Sequence, residues 1–130
     1  MKKIAVIAHD KLKPVLIEFL KERKDWLWGK SLVATGRTAD ALEASQPGLD
    51  ILHVNKGESG GYIEITRMIE KGEISFVIFL RDPSIKQSYH QDIQNLLDAC
   101  DYHNVPIATN TQAAELIILG LIKKETARRA

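Results

Sequence analysis

Five short apolar runs, at residues 4–8, 32–34, 50–54, 74–80 and 105–109, are separated by segments whose apolar residues fall at helical spacing. That alternation admits few folds. A run apolar on consecutive residues, such as Ile4-Ala5-Val6-Ile7-Ala8, suits a strand buried on both faces. The intervening segments, 11–24, 38–44, 61–71, 91–102 and 111–122, read as helices; the first carries Leu12, Val15, Leu16, Phe19 and Leu20 on one face. Parallel strands need crossovers, and right-handed crossovers put helices on both sides of one sheet. The expected fold is therefore a three-layer, doubly wound α/β sandwich with a mainly parallel sheet of about five strands. Residues 74–80, the longest run, belong at its centre. Pro106 has no N–H for an interior ladder, which sends the last strand to an edge. Pro14 fits only the first turn of its helix, and Gly72 suits a left-handed cap.

The 130 residues are one domain's length, so residues 1–130 are read as a single domain. A net charge of +1 gives no electrostatic case for nucleic acid or a membrane surface. Cys100 is the lone cysteine, which excludes an internal disulfide and fits a reducing compartment. The run at 4–8 is too short for a signal peptide and is cut off by His9-Asp10, and no stretch approaches the ~20 apolar residues of a membrane span. A cytoplasmic location is expected. His53, His90 and His103 show no metal-ligand spacing, so no metal site is expected. Leu116-Ile117-Ile118-Leu119 is apolar over more than one face, as in a subunit contact or a well-covered helix. Trp26 and Trp28 read as core packing or as a partner anchor.

In a doubly wound sheet, ligands bind beyond the carboxyl ends of the strands, near the switch in strand order. The residues that follow the five runs are all polar. They are His9-Asp10 with Lys13 close behind, Thr35-Gly36-Arg37-Thr38, Lys56-Gly57-Glu58-Ser59-Gly60-Gly61-Tyr62, Arg81-Asp82-Pro83 and Thr109-Asn110. The second and third are Gly/Thr-rich loops that expose N–H groups and hydroxyls to an anion at a helix N-terminus. Each has a plainer reading. Asp10 and Thr38 serve as helix caps, Gly60-Gly61 as a tight turn, and Asp82-Pro83 as a turn opener. The convergence of all five on one edge favours a phosphate-handling site.

The ordered set Ile7-Ala8-His9-Asp10-Lys11, Ala34-Thr35-Gly36-x-Thr38, Gly57-x-x-Gly60-Gly61, Phe79-x-Arg81-Asp82-Pro83 and Pro106-Ile107-Ala108-Thr109-Asn110 resembles methylglyoxal synthase. The resemblance implies a doubly wound domain in a homohexamer that needs neither metal nor cofactor. It implies conversion of dihydroxyacetone phosphate to methylglyoxal and phosphate: a carboxylate removes the proton beside the ketone, donors hold the enediolate, and phosphate leaves. The same domain also serves as an effector-binding module in larger enzymes. By resemblance, Lys13, Thr35, Gly36 and Thr38 fall at phosphate-contacting positions and Gly57 beside the substrate. Asp10 and Asp92 match assisting carboxylates, His9 a site histidine, and Arg129 a C-terminal arginine that reaches a neighbouring subunit's site.

The chain departs from the family pattern where protons move. The pattern Ser-Gly-Pro-x-Gly-Gly-Asp ends in the base; here the segment runs from Lys56 to Tyr62. A phenol with a reference pKa near ~10 is almost wholly protonated at neutral pH. Tyr89 holds the place of a histidine, with His90 one residue later and Asp92 retained. Lys56 stands for a serine and Arg37 for a threonine, and Arg37 adds a bidentate anion donor. Glu58 and Glu64 are the carboxylates nearest the vacated base position. The expectation is a protein that binds phosphate or a small phosphorylated metabolite, with weak or absent catalysis. The alternatives are an active synthase with a relocated base and an effector-binding or partner-binding oligomer.

Overall fold

In the computed structural model the chain forms one five-stranded parallel sheet with helices on both faces. The structure describes residues 2–86 and 90–129, with Glu58, His90 and Arg129 described by their backbone. The strands are β1 (Lys3–Ala8), β2 (Ser31–Thr35), β3 (Asp50–Val54), β4 (Ile74–Leu80) and β5 (Ile107–Ala108). The helices are α1 (Lys13–Lys21), α2 (Lys24–Leu27), α3 (Gly36–Ser45), α4 (Gly61–Glu70), α5 (His90–Tyr102) and α6 (Thr111–Arg129). The strand order is β3-β2-β1-β4-β5. β1 is the central strand and β4 its interior neighbour, so the longest run sits one place from the centre expected for it. Pro106 does mark an edge: β5 pairs with β4 alone and is only two residues long, while the Pro106 carbonyl accepts the N–H of Val77.

Alternation of side chains along each strand builds two cores. Ile4, Val6 and Ala8 of β1 with Phe76 and Ile78 of β4 meet Leu16, Leu20, Leu42, Ala114 and Ile118 on one face. Ala5 and Ile7 of β1 with Val77 and Phe79 of β4 meet Tyr62, Ile65, Ile69, Leu96 and Cys100 on the other. Burial of Cys100 pushes its thiol up to about 11, so it remains protonated and unreactive at neutral pH. At the outer edge β3 leaves Leu52 and His53 exposed, since no further strand covers it.

Several boundaries differ from the sequence reading. The first helical segment is broken: a 3-10 turn at Asp10–Leu12 precedes α1, and the separate helix α2 follows it. Pro14 lies in the first turn of α1, where its missing N–H costs nothing. Trp26 packs against the first core, whereas Trp28, just past α2, is 80% exposed. Gly72 adopts φ +76° and ends α4 in the left-handed conformation. α6 runs on to Arg129, and Leu116, Leu119 and Ile122 on it are uncovered within the chain. No helix among the described residues is long and apolar enough to cross a membrane.

Phe76 is fully buried in the middle of β4. Phe76→Ala should lower the unfolding free energy by about 3–5 kcal/mol, read from the midpoint shift in chemical denaturation at unchanged slope.

Candidate functional site

Parallel pairing brings the ends of all five strands to one edge, and direct contacts join the loops there. Asp82 N–H donates to His9 Nδ1 at 2.8 Å, linking the loops after β1 and β4. This bond spans the switch point, because the chain leaves β1 toward β2 and β3 and returns to β4. Asp10 joins the loops after β1 and β2 through Arg37, with Nη1 to Oδ2 at 3.5 Å. Gly36 N–H donates to Asn55 O at 3.4 Å, and Arg81 N–H to Thr109 O at 3.4 Å.

β2 ends at Thr35, and α3 begins directly at Gly36. The cap position is therefore Thr35 rather than Thr38, which lies within the first turn, and no side chain caps the helix. The Thr35 hydroxyl donates to that of Thr38 at 3.4 Å, and both residues are buried. An uncapped first turn presents amides without intrahelical acceptors, the usual seat of an anion. Gly36 is the exception, since its N–H is taken by Asn55. Lys56 lies against this turn: a Cβ at Gly36 would sit 3.4 Å from Lys56 Cγ.

The turn into α4 is sterically tight. A Cβ at Gly61 would lie 2.1 Å from Asn55 O, so only glycine lets the helix start on that backbone. Gly60 adopts φ +101°, and the N–H groups of Ser59 and Gly61 both donate to Lys56 O at 2.9 Å. This geometry aims Tyr62 back over the loop. A Cβ at Gly57 would fall 2.5–2.7 Å from Cζ, Cε2 and the hydroxyl oxygen of Tyr62. The Tyr62 ring also stacks on Phe79, with centroids 5.6 Å apart, and is 4% exposed. Phe79 in turn meets His9 edge-on at 5.4 Å. Glu64, a candidate replacement base, instead accepts the Asn55 N–H at 3.2 Å and braces the loop.

His9 is buried, and its Nδ1 is the acceptor for Asp82, so the neutral ring carries its proton on Nε2. Nε2 is buried without a partner among the described residues. Burial lowers the His9 pKa from the ordinary 6.5, and the Arg81 charge lowers it further; Lys13 adds to this, while Asp82 and Asp10 oppose it. Lys13 Nζ donates to Ala8 O and to Asp10 Oδ1, both at 2.8 Å. That hydrogen bond, with the Lys13 charge, holds the Asp10 carboxyl below the usual range. Asp82 does open a turn: Oδ1 accepts from Ser84 N and Oγ at 3.0 and 2.6 Å. Asn110 caps α6 by accepting the Ala113 N–H at 2.9 Å.

Asp92 lies in the first turn of α5, at the same edge of the sheet, and is half-buried. His90 begins α5 and Arg129 ends α6, while Tyr89 lies outside the described residues. His53 contacts Glu43 and lies 3.8 Å from Asp40 on the outer edge. Among the described residues no group of three or more His, Cys, Asp or Glu is placed to hold a metal. Phe79 stands in the sequence reading as part of the motif ending in Arg81-Asp82-Pro83, with no role of its own, yet it joins His9 to Tyr62. Its signal was position alone, two residues before Arg81.

A native His9 that resists protonation binds fewer protons than the unfolded chain just below pH 6.5. Stability should therefore be complete above that pH and fall as pH drops below it. His9→Gln should flatten the unfolding free energy between about pH 7 and 5.5, relative to the native slope; an unchanged slope would show that His9 does not carry it.

Comparison with known proteins agrees with this architecture. A family model described as "MGS-like domain" matches residues 16–109. The methylglyoxal synthase of Cupriavidus taiwanensis is 40% identical over 128 residues, 98% of this chain and 96% of its own. That of Clostridium perfringens is 45% identical over 120 residues, 92% of this chain and 99% of its own. The crystal structure of methylglyoxal synthase from Elizabethkingia anophelis superposes with a TM-score of 0.82 at 31% identity, covering 90% of this chain and 76% of that one. The chain belongs to the MGS-like domain family, among proteins named methylglyoxal synthase.

Proposed function

We propose that this chain is a single-domain, cytoplasmic, methylglyoxal-synthase-like protein that holds phosphate or a small phosphorylated metabolite such as dihydroxyacetone phosphate, with weak or absent turnover. The observation that carries this reading is Tyr62. The position where the resemblance puts the base is filled by a buried phenol, wedged between Gly57 and Phe79. The anion-binding parts remain. Thr35 and Thr38 flank an uncapped helix start, Lys56 lies on Gly36, and Lys13 and Arg37 stand at the same edge. His9 contributes a buried Nε2–H, a donor for a ligand oxygen. Charge-assisted hydrogen bonds of this kind are worth roughly 1.5–3 kcal/mol each.

In the family reaction a base removes a carbon-bound proton, the donors hold the enediolate, and phosphate departs. On this reading the donors remain, and Tyr62 stands where the base would be. Glu64 is held on Asn55 N–H, which argues against it as the substitute. Asp10 is an ionised carboxylate, but Lys13 and Arg37 engage it and depress its basicity. A second reading, a synthase with a displaced base, is favoured by the 40% identity to the Cupriavidus enzyme over 96% of that protein's length.

Methylglyoxal formation from dihydroxyacetone phosphate separates the two. General-base catalysis contributes about 10²–10⁴-fold, and the native chain should fall short of relatives that carry aspartate by that order. Tyr62→Asp should raise the rate, and Tyr62→Asp with Tyr89→His should raise it further. Turnover that survives Tyr62→Phe but disappears in Glu58→Gln or Glu64→Gln would establish the displaced base instead. The resemblance also makes the protein a homohexamer, with the uncovered Leu116, Leu119 and Ile122 of α6 as contact surface and Arg129 reaching a neighbouring site. Light scattering at micromolar concentration should show an oligomer; a monomer would remove that role for Arg129.

A further inference from the structure

The Tyr62 ring does more than replace a functional group; it takes up space. Its hydroxyl end (Cζ, Cε2 and the phenol oxygen) lies so close to Gly57 that no side chain fits there, and the ring stacks at 13° to Phe79. Phe79 is fully buried and is met by the edge of His9, itself 7% exposed. The three rings form a column across the sheet edge, from the first turn of α4, past the end of β4, to the end of β1. Swinging Tyr62 outward would expose the face of Phe79 to water, so the ring is fixed by the core beneath it.

Cationic side chains stand next to the column. Lys56, adjacent to Gly57, lies against Gly36 at the start of α3, and Arg37 and Lys13 meet on Asp10. Lys13, Arg37 and Lys56 thus gather cationic donors beside the start of α3, a set suited to an oxyanion. Room for that anion's charge is therefore present, while the ground beside Gly57 is occupied by the phenol.

We propose that Tyr62 is a fixed plug that closes the carbon-chain end of the site, so that the site selects inorganic phosphate over three-carbon phosphate esters. This rests on the anion-site reading above and adds to it a choice of ligand. Calorimetric titration of the native chain, Tyr62→Phe and Tyr62→Ala with inorganic phosphate and with dihydroxyacetone phosphate tests it. Native protein should bind phosphate at least as tightly as the ester, and Tyr62→Phe, which keeps the ring, should show the same ratio. Tyr62→Ala should shift the ratio tenfold or more toward the ester. A native preference for the ester of tenfold or more would overturn the plug, and so would an unchanged ratio in a folded Tyr62→Ala. Should that variant not fold, the native and Tyr62→Phe ratios decide alone. Absence of binding by either anion at millimolar concentration would sink the anion site and the plug together. Equal binding of both by the native chain and by Tyr62→Ala would sink the plug only.

Discussion

Parallel pairing of β1 between β2 and β4 is the constraint on which the candidate site depends. It buries β1 on both faces, which is why residues 4–8 carry no polar side chain. It also obliges every connection to cross back over the sheet, so all five strand ends arrive at one edge. The chain reverses its direction of travel across the sheet between β1 and β4, the switch point at which doubly wound sheets bind ligands. The Asp82–His9 hydrogen bond spans that point, and it both selects the His9 tautomer and ties the two halves together. Electrostatics at the edge follow from this placement: a buried neutral histidine, a carboxylate held by lysine and arginine, and a helix start facing the same way.

Much of the fold was legible because each element carries its own physical signature. Consecutive apolar residues marked buried strands, Pro106 marked an edge, and Gly72 marked a helix end. What was missed lay where local pattern is silent. The stretch at 11–24 has continuous helical spacing, yet the chain turns at residues 22–23 and restarts as α2. Spacing alone carries no mark of that break. Thr38 resembles a cap in sequence, but strand β2 extends to Thr35 and the helix begins at once, so tertiary pairing moved the boundary.

At the candidate site, residue type was legible and geometry was not. The loops after the strands announced themselves by glycine, threonine and charge. That Glu64 would brace Asn55, and that Gly36 N–H would be spent on Asn55 O, are consequences of how the loops after β2 and β3 pack. Gly57 is a clear case: by resemblance it lies beside the substrate, and in this chain its bare Cα is also what admits the Tyr62 ring. The two positions are coupled, so the substitution at 62 has meaning only together with the glycine at 57. The solved methylglyoxal synthase from Elizabethkingia anophelis has the same fold at 31% identity, so the scaffold persists while most side chains change.

On the proposed function, this chain holds a phosphorylated ketone's anionic end yet takes a proton from the neighbouring carbon poorly or not at all. Solvent deuterium exchange reports that step directly, without requiring phosphate to leave. Dihydroxyacetone phosphate incubated with the native protein in D₂O, and followed by proton NMR, should lose signal at its hydroxymethyl carbon slowly or at the rate seen in buffer, while Tyr62→Asp should accelerate the loss. Rapid exchange catalysed by the native protein and by Tyr62→Phe would contradict the account, because it would place a working base at the site independent of residue 62.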